Sequence, residues 1–200
     1  MDARQQIRTQ LRQRRSQQSL SDCQRDSAQI CDHLLKSREF RGAQRLAFYF
    51  AHGKEVDLSL LMHQAWLRKK QVFLPVLATF PQGTLWWLPY YIDTPLYQNR
   101  FGIPEPVHAR RLRRTKLRSL DIILMPLVAF DQAGHRIGMG GGFYDRSLSR
   151  LQHNHSWHRP IRIGVAYSWQ QVEHIPAQPW DIPLDAVVTE QGLTTFRRDE

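Results

Sequence analysis

The chain reads as a single α/β domain spanning residues 1–200: a mostly parallel central sheet of about six strands flanked by helices, a Rossmann-like three-layer arrangement. Three observations carry this reading. Short apolar runs such as Leu46-Ala47-Phe48-Tyr49-Phe50 suit strands buried on both faces of a parallel sheet. These runs alternate with stretches of helical periodicity. Beyond the most apolar run lies a glycine-rich loop, at the strand end where open α/β sheets receive ligands.

Residues 2–17 predict a helix. Arg4, Arg8, Arg12 and Arg15 fall on one face, and Ile7 and Leu11 form a short apolar stripe beside them. On spacing alone the arginines read as a solvated basic face. A second helix restarts at Leu20-Ser21-Asp22, with Ser21 or Asp22 as N-cap, and runs to about Ser37. Strand 46–50 follows, then a helix over 57–69 with Leu58, Leu61, Met62, Ala65 and Trp66 on one side. Next come strand 71–75 and an aromatic edge strand over 84–91. Residues 94–119, rich in proline and arginine, read as a long connection with local turns. Strand 122–126 leads through a turn and the glycine loop into a helix from 142 to 152. Strands over 161–167 and 186–189 complete the sheet. No internal repeat or low-complexity linker divides the chain.

Composition excludes several classes. A 200-residue chain with 42% hydrophobic residues is globular rather than disordered. Cys23 and Cys31 lie about 12 Å apart along one helix, too far for a disulfide. Low cysteine use suits a reducing cytosol. The polar, Arg-rich start lacks the apolar segment of a secretory signal, although a transit peptide stays open. No run of about 18 apolar residues predicts a membrane span. A cytoplasmic monomer is expected. The net charge of +10 favours anionic partners without choosing among nucleotides, folates, phosphates, nucleic acid and membrane surfaces.

The segment Arg136-Ile137-Gly138-Met139-Gly140-Gly141-Gly142-Phe143-Tyr144-Asp145-Arg146 carries the chemistry. Glycines admit φ > 0 and close ligand approach. Successive N–H groups form an anion nest, and the following helix adds its positive end. Arg136 can fork onto phosphate oxygens. Asp145 can ligate Mg²⁺, or instead cap or pair on its own helix. The loop is neither a Walker A motif nor a dinucleotide fingerprint. A rival reading takes Arg110, Arg111, Arg113, Arg114, Lys116 and Arg118 as a nucleic-acid patch, with Trp86, Trp87, Tyr90 and Tyr91 as stacking platforms. No recognised nucleic-acid motif accompanies them, so this remains the lesser reading. The same basic run could draw an anionic substrate tail. His153, His155 and His158 have metal-like spacing but lack a partnering carboxylate or cysteine, and read as a loop.

Together with Met125-Pro126-Leu127-Val128-Ala129-Phe130-Asp131 and Gly134, that segment resembles the signature of 5-formyltetrahydrofolate cyclo-ligases, also called 5,10-methenyltetrahydrofolate synthetases. The resemblance extends over nearly the whole chain. It includes Arg4 and Arg8, Glu55-Val56-Asp57, Gly102-Ile103-Pro104-Glu105-Pro106, Trp180-Asp181-Ile182-Pro183 and Asp185-Ala186-Val187-Val188-Thr189. It implies an enzyme that converts 5-formyltetrahydrofolate and MgATP to 5,10-methenyltetrahydrofolate, ADP and phosphate.

By that resemblance Arg4 and Arg8 contact the ATP phosphates, with Arg8 also near folate. Arg136 and the loop Gly138, Met139, Gly140, Gly141, Gly142 and Phe143 cradle the triphosphate. Arg136 and Tyr144 carry the catalytic roles, Tyr144 bordering both substrates. Asp145 ligates Mg²⁺, with Asp181 as a second candidate. Glu55 binds the pterin, and Phe50 and Phe101 wall the folate. Arg12 and Arg15 keep the solvated reading. The chain departs from relatives in having Arg4 where Lys is common, Phe143 where Tyr is common, and Met139 and Gly141 where some carry basic residues. The phosphate charge then falls on Arg136 and the N-terminal arginines.

Overall fold

The computed structural model describes residues 2–107, 115–152 and 160–196, excepting the side chains of residues 150–152. Arg110, Arg111, Arg113 and Arg114, and His108, His153, His155 and His158, lie outside the described residues.

The helices are α1 (Ala3–Gln17), α2 (Leu20–Lys36), α3 (Arg38–Gly42), α4 (Ser59–Leu67) and α5 (Phe143–Gln152). The strands are β1 (Arg45–Ala47), β2 (Gln71–Leu77), β3 (Leu85–Pro89), β4 (Leu96–Gln98), β5 (Pro104–Pro106), β6 (Ile122–Pro126), β7 (Ala129–Phe130), β8 (Arg136–Ile137), β9 (Ile161–Val165), β10 (Ala186–Thr189) and β11 (Gly192–Thr195). A seven-stranded sheet runs in the order β11-β10-β9-β6-β1-β2-β3. Its five inner strands pair in parallel, and the outer strands β3 and β11 pair antiparallel.

The expected α/β sheet is therefore present with one strand more. β11 was not predicted: Gly192 to Thr195 alternates too little to announce a strand, and pairing with β10 forms it. The 94–119 connection also contains a two-stranded ribbon, β4 with β5. Its anchor is Glu105, a buried carboxylate that accepts from Leu77 N (3.0 Å), Tyr97 Oη (2.7 Å) and Asn99 Nδ2 (2.7 Å). Helix α2 starts earlier than expected, because Ser19 rather than Ser21 or Asp22 caps it, accepting from Asp22 N at 3.0 Å.

Strand alternation builds the two buried faces. Leu46, Ile122, Leu124, Ile163 and Val188 face one side, where α2 brings Ile30, Cys31 and Leu34 and α4 brings Leu61, Met62 and Ala65. Ala47, Ile123, Met125 and Val187 face the other, where α5 brings Leu148. Both cysteines are buried free thiols. A third cluster seats α1: its apolar stripe, Ile7 and Leu11, packs on Val128, Ala129, Ile137 and Ile175.

The chain steps from β1 to β2 on one side, then returns to lay β6 on the other side of β1. The sheet thus reverses between β1 and β6, the crevice where such sheets bind ligands at their carboxyl ends.

Candidate active site

A large cleft opens at that crevice, with a volume of about 1570 Å³. Small-molecule pockets run to roughly 1,000 Å³, so there is room here for two substrates. Its walls are the chain leaving β1 (Tyr49, Phe50), the ends of β2 and β6 (Leu77, Pro126), the start of β3 and the glycine loop. Helix α1 lies along it. All the candidate residues line this cleft: Arg4, Arg8, Phe50, Glu55, Phe101, Arg136, Gly138 to Gly142, Phe143, Tyr144, Asp145 and Asp181.

The β7–β8 hairpin delivers Arg136 to the cleft. Asp131 fixes that hairpin, accepting from Ala133 N, His135 N and Ile175 N and pairing with the His135 ring at 2.9 Å. Strand alternation turns Arg136 the opposite way. Its side chain is 4% exposed, its Nη2 donates to Asp145 Oδ1 at 2.5 Å, and its Nε is buried without a partner. Burial lowers its pKa, which Asp145 opposes. A guanidinium remains charged through such a shift. The guanidinium lies 6.0 Å from the centre of the Tyr144 ring. Burial, then the Glu55 charge, pushes the Tyr144 phenol well above its ordinary value, so it is a hydrogen-bond donor at neutral pH and not a base.

Glycine is required by conformation at Gly140 (φ +102°) and Gly142 (φ +62°). Arg146, the last residue of the motif, supports the loop from below. It donates to Gly141 O, and to Gly83 O at 2.8 Å, and lies over the Phe143 ring. Phe143 in turn meets Phe101 edge-to-face at 5.8 Å, linking the loop to the tip of the β4–β5 ribbon. Phe50 packs edge-on against Tyr90.

Helix α1 places Arg4 and Arg8 along the cleft. Arg4 forks onto Asp181, with Nη2 to Oδ1 at 3.1 Å, and reaches Pro176 O at 2.9 Å. Arg8 Nε donates to Gly138 O at 3.0 Å. Arg15 does not belong to a solvated face. It is buried, 3.4 Å from Glu55 Oε1 and 3.6 Å from Met139 Sδ. The spacing rule placed it on the arginine face correctly. What spacing lacked was that Glu55 and Met139, distant in sequence, close over this end of the face, while Arg12 stays exposed as expected.

The two acidic candidates differ as metal ligands. Both oxygens of Asp181 are taken, Oδ1 by Arg4 and Oδ2 by Arg4 and Gln178 N. Asp145 receives Arg136 and Ile182 N on Oδ1 alone, which leaves Oδ2 open. No cluster of three His, Cys, Asp or Glu occurs among the described residues. That donor set fits an ion held by one carboxylate, water and substrate phosphates, as Mg²⁺ commonly is. It does not fit a dedicated all-protein site. Sequence reasoning also left Arg146 and Glu105 without roles, although both stand inside the quoted motifs.

No helix among the described residues is long and apolar enough to cross a membrane. Residues 1–190 match the model of the 5-formyltetrahydrofolate cyclo-ligase family. The 5-formyltetrahydrofolate cyclo-ligase of Haemophilus influenzae is 42% identical over 182 residues, covering 90% of this chain and 94% of that protein. That of Escherichia coli K12 is 38% identical over 180 residues, covering 90% and 96%. Among solved structures, the 5,10-methenyltetrahydrofolate synthetase of Aquifex aeolicus superposes with a TM-score of 0.82 at 31% identity, covering 98% of this chain and 94% of that one. The chain belongs to the 5-formyltetrahydrofolate cyclo-ligase family.

Proposed function

We propose that this cleft binds 5-formyltetrahydrofolate beside MgATP and converts them to 5,10-methenyltetrahydrofolate, ADP and phosphate. One observation carries the reading. A single cleft holds a glycine nest with a buried, incompletely paired Arg136, and a second buried carboxylate site at Glu55.

The chemistry explains why both are needed. An N-formyl carbonyl is an amide and a poor electrophile. Its oxygen attacks the γ-phosphorus of ATP, the bond to the bridging oxygen breaks, and ADP leaves. N10 then attacks the activated formyl carbon and loses its proton. The carbon–oxygen bond breaks, its electron pair leaves with phosphate, and the ring closes. Positioning and charge neutralisation are the main demands of phosphoryl transfer. Arg136, Arg8 and Arg4 supply positive charge to the phosphates, and the N–H groups of Gly138 to Phe143 cradle them. The Tyr144 hydroxyl donates toward the transferring oxygen. Mg²⁺, when bound, neutralises phosphate charge, with Asp145 as its protein ligand and Asp181 orienting Arg4. Glu55 accepts from the donor-rich pterin edge, and Phe50 and Phe101 wall the ring.

The arginine–carboxylate pairs hold this charge ready. Arg4 sits on Asp181 and Arg136 on Asp145. Phosphate oxygens would take over these guanidinium groups, and Asp145, released from Arg136, would be the residue to hold an accompanying cation. The test is a continuous absorbance assay for methenyltetrahydrofolate with and without MgATP. Product that appears only with MgATP supports the reading. Well-folded protein that forms none overturns it.

A further inference from the structure

Arg15 has no part in the chemistry above, yet it is one of the few buried cations among the described residues. Its side chain is 10% exposed and that of Glu55 9%. Its two terminal nitrogens point to different targets: Nη1 to Glu55 Oε1 (3.4 Å) and Nη2 to the Met139 thioether (3.6 Å). The other Glu55 oxygen accepts from His52 N at 3.1 Å. Nearby, Lys54 donates to Ser16 O (2.7 Å) and to Gln18 O, fastening the last turn of α1 to the loop that carries Glu55. Arg4 and Arg15 are separated by 11 residues of one helix, about 16 Å of axial rise. Helix α1 is therefore a bar with the nucleotide arginines at one end and a clamp on Glu55 at the other.

We propose that Arg15 is a positioning residue for folate: wedged between Glu55 and the tip of the glycine loop, it orients the Glu55 carboxylate for the pterin and sets the loop at a fixed distance from it. The proposal rests on the reading of Glu55 as the pterin acid. Two groups explain why a guanidinium is used. A fork can hold a carboxylate with one nitrogen and contact a second group with the other, which an ammonium cannot do in one plane. Burial raises the Glu55 pKa, and the Arg15 charge is the largest opposing influence, followed by the His52 amide. The other titratable neighbours are the His52 ring, Tyr49 and Tyr144. The two phenols are held protonated by burial, so Arg15 is the buried cation that keeps Glu55 an acceptor.

The test compares Arg15→Met, Arg15→Lys and Glu55→Gln with the wild type by steady-state kinetics from pH 6 to 9, after thermal melts establish folding. A lost charge-assisted contact is worth about ten-fold in affinity. Arg15→Met is expected to raise the KM for 5-formyltetrahydrofolate about ten-fold near pH 6. The defect should shrink as pH rises and Glu55 ionises, while the KM for ATP stays within about two-fold. Arg15→Lys, which retains the charge, is expected to keep the wild-type pH profile with a smaller rise in KM. If Arg15→Met does not fold, Arg15→Lys carries the decision: a wild-type KM and kcat in that variant overturn the proposed fork. A folded Arg15→Met with the wild-type folate KM at every pH also overturns it. Glu55→Gln separates the two claims. An unchanged folate KM there removes the pterin role of Glu55 and the proposal with it. A raised KM in Glu55→Gln beside an unaffected Arg15→Met removes the proposal alone.

Discussion

Replacing Arg136 by alanine separates what holds the loop from what the loop does. The Arg136 side chain is 4% exposed and that of its partner Asp145 19%, and the two are 2.5 Å apart. Removing one partner of a buried pair costs about 3–5 kcal/mol, because the other charge stays behind unpaired. For a domain of this length, each 1 kcal/mol lowers Tm by about 2–4 °C, so a fall of roughly 10 °C is expected. The kinetic effect should be larger. A donor aimed at charge that develops in the transition state is worth roughly 10²–10³ in kcat. Arg136→Ala should therefore lower kcat by that factor and raise the KM for ATP, while the KM for 5-formyltetrahydrofolate changes little. Arg136→Met combined with Asp145→Leu removes both charges, so it should recover much of the Tm and none of the activity. The assays are differential scanning fluorimetry and the methenyltetrahydrofolate absorbance rate at varied MgATP. A folded Arg136→Ala enzyme with wild-type kcat and ATP KM would refute the assignment of Arg136 to the phosphates.

Two further perturbations address the loop and the N-terminal helix. At Gly140 a methyl group would meet nothing nearer than Arg8 Nε at 3.7 Å, so its φ of +102° alone opposes substitution. Gly140→Ala should store about 1–3 kcal/mol of backbone strain and raise the ATP KM, whereas Gly138→Ala, free of that φ, should bind ATP nearly normally; equal behaviour of the two would contradict a nest that depends on conformation. Burial tends to raise the Asp181 pKa, but the hydrogen bonds from Arg4 and Gln178 and the Arg4 charge outweigh it and hold Asp181 below the ordinary aspartate range. A depressed carboxylate contributes stability above its unfolded pKa of about 4 and loses it as pH falls through the lower folded value. The Tm of the wild type should therefore exceed that of Asp181→Asn at pH 7, with the gap closing as acid is added below about pH 4; a gap that persists in acid would show that the pairing with Arg4 does not set it.

The legible parts of the chain were those where one local pattern had one structural outcome. Strand 122–126 is apolar at every position and emerged as β6 beside the switch point, buried from Ile122 to Met125. Ile7 and Leu11 marked the buried stripe of α1. Every candidate site residue reached the same cleft, although helix α1, the β4–β5 ribbon, the β7–β8 hairpin and the start of α5 deliver them from different parts of the chain. What escaped was set by contacts distant in sequence. Arg15 looked like its neighbours on a solvated face, and the approach of Glu55, 40 residues away, and of Met139 buries it. Glu105 sat in a proline-rich connection with no periodicity, yet it ties the β4–β5 ribbon to Leu77 N. Asp145 read as a metal ligand, with a cap or pair on its own helix as the alternative. In the structure its partners come from outside its own helix: Arg136 of β8 and the Ile182 amide share one oxygen.

The central claim is that the formyl oxygen becomes the phosphate oxygen. It is tested most directly with 5-formyltetrahydrofolate carrying ¹⁸O in the formyl group. Mass analysis of the phosphate released during a single turnover with MgATP reads the outcome. One ¹⁸O atom per phosphate, formed together with methenyltetrahydrofolate, is expected. Unlabelled phosphate formed alongside the product would mean that water, not the formyl oxygen, takes the phosphoryl group, and would contradict it.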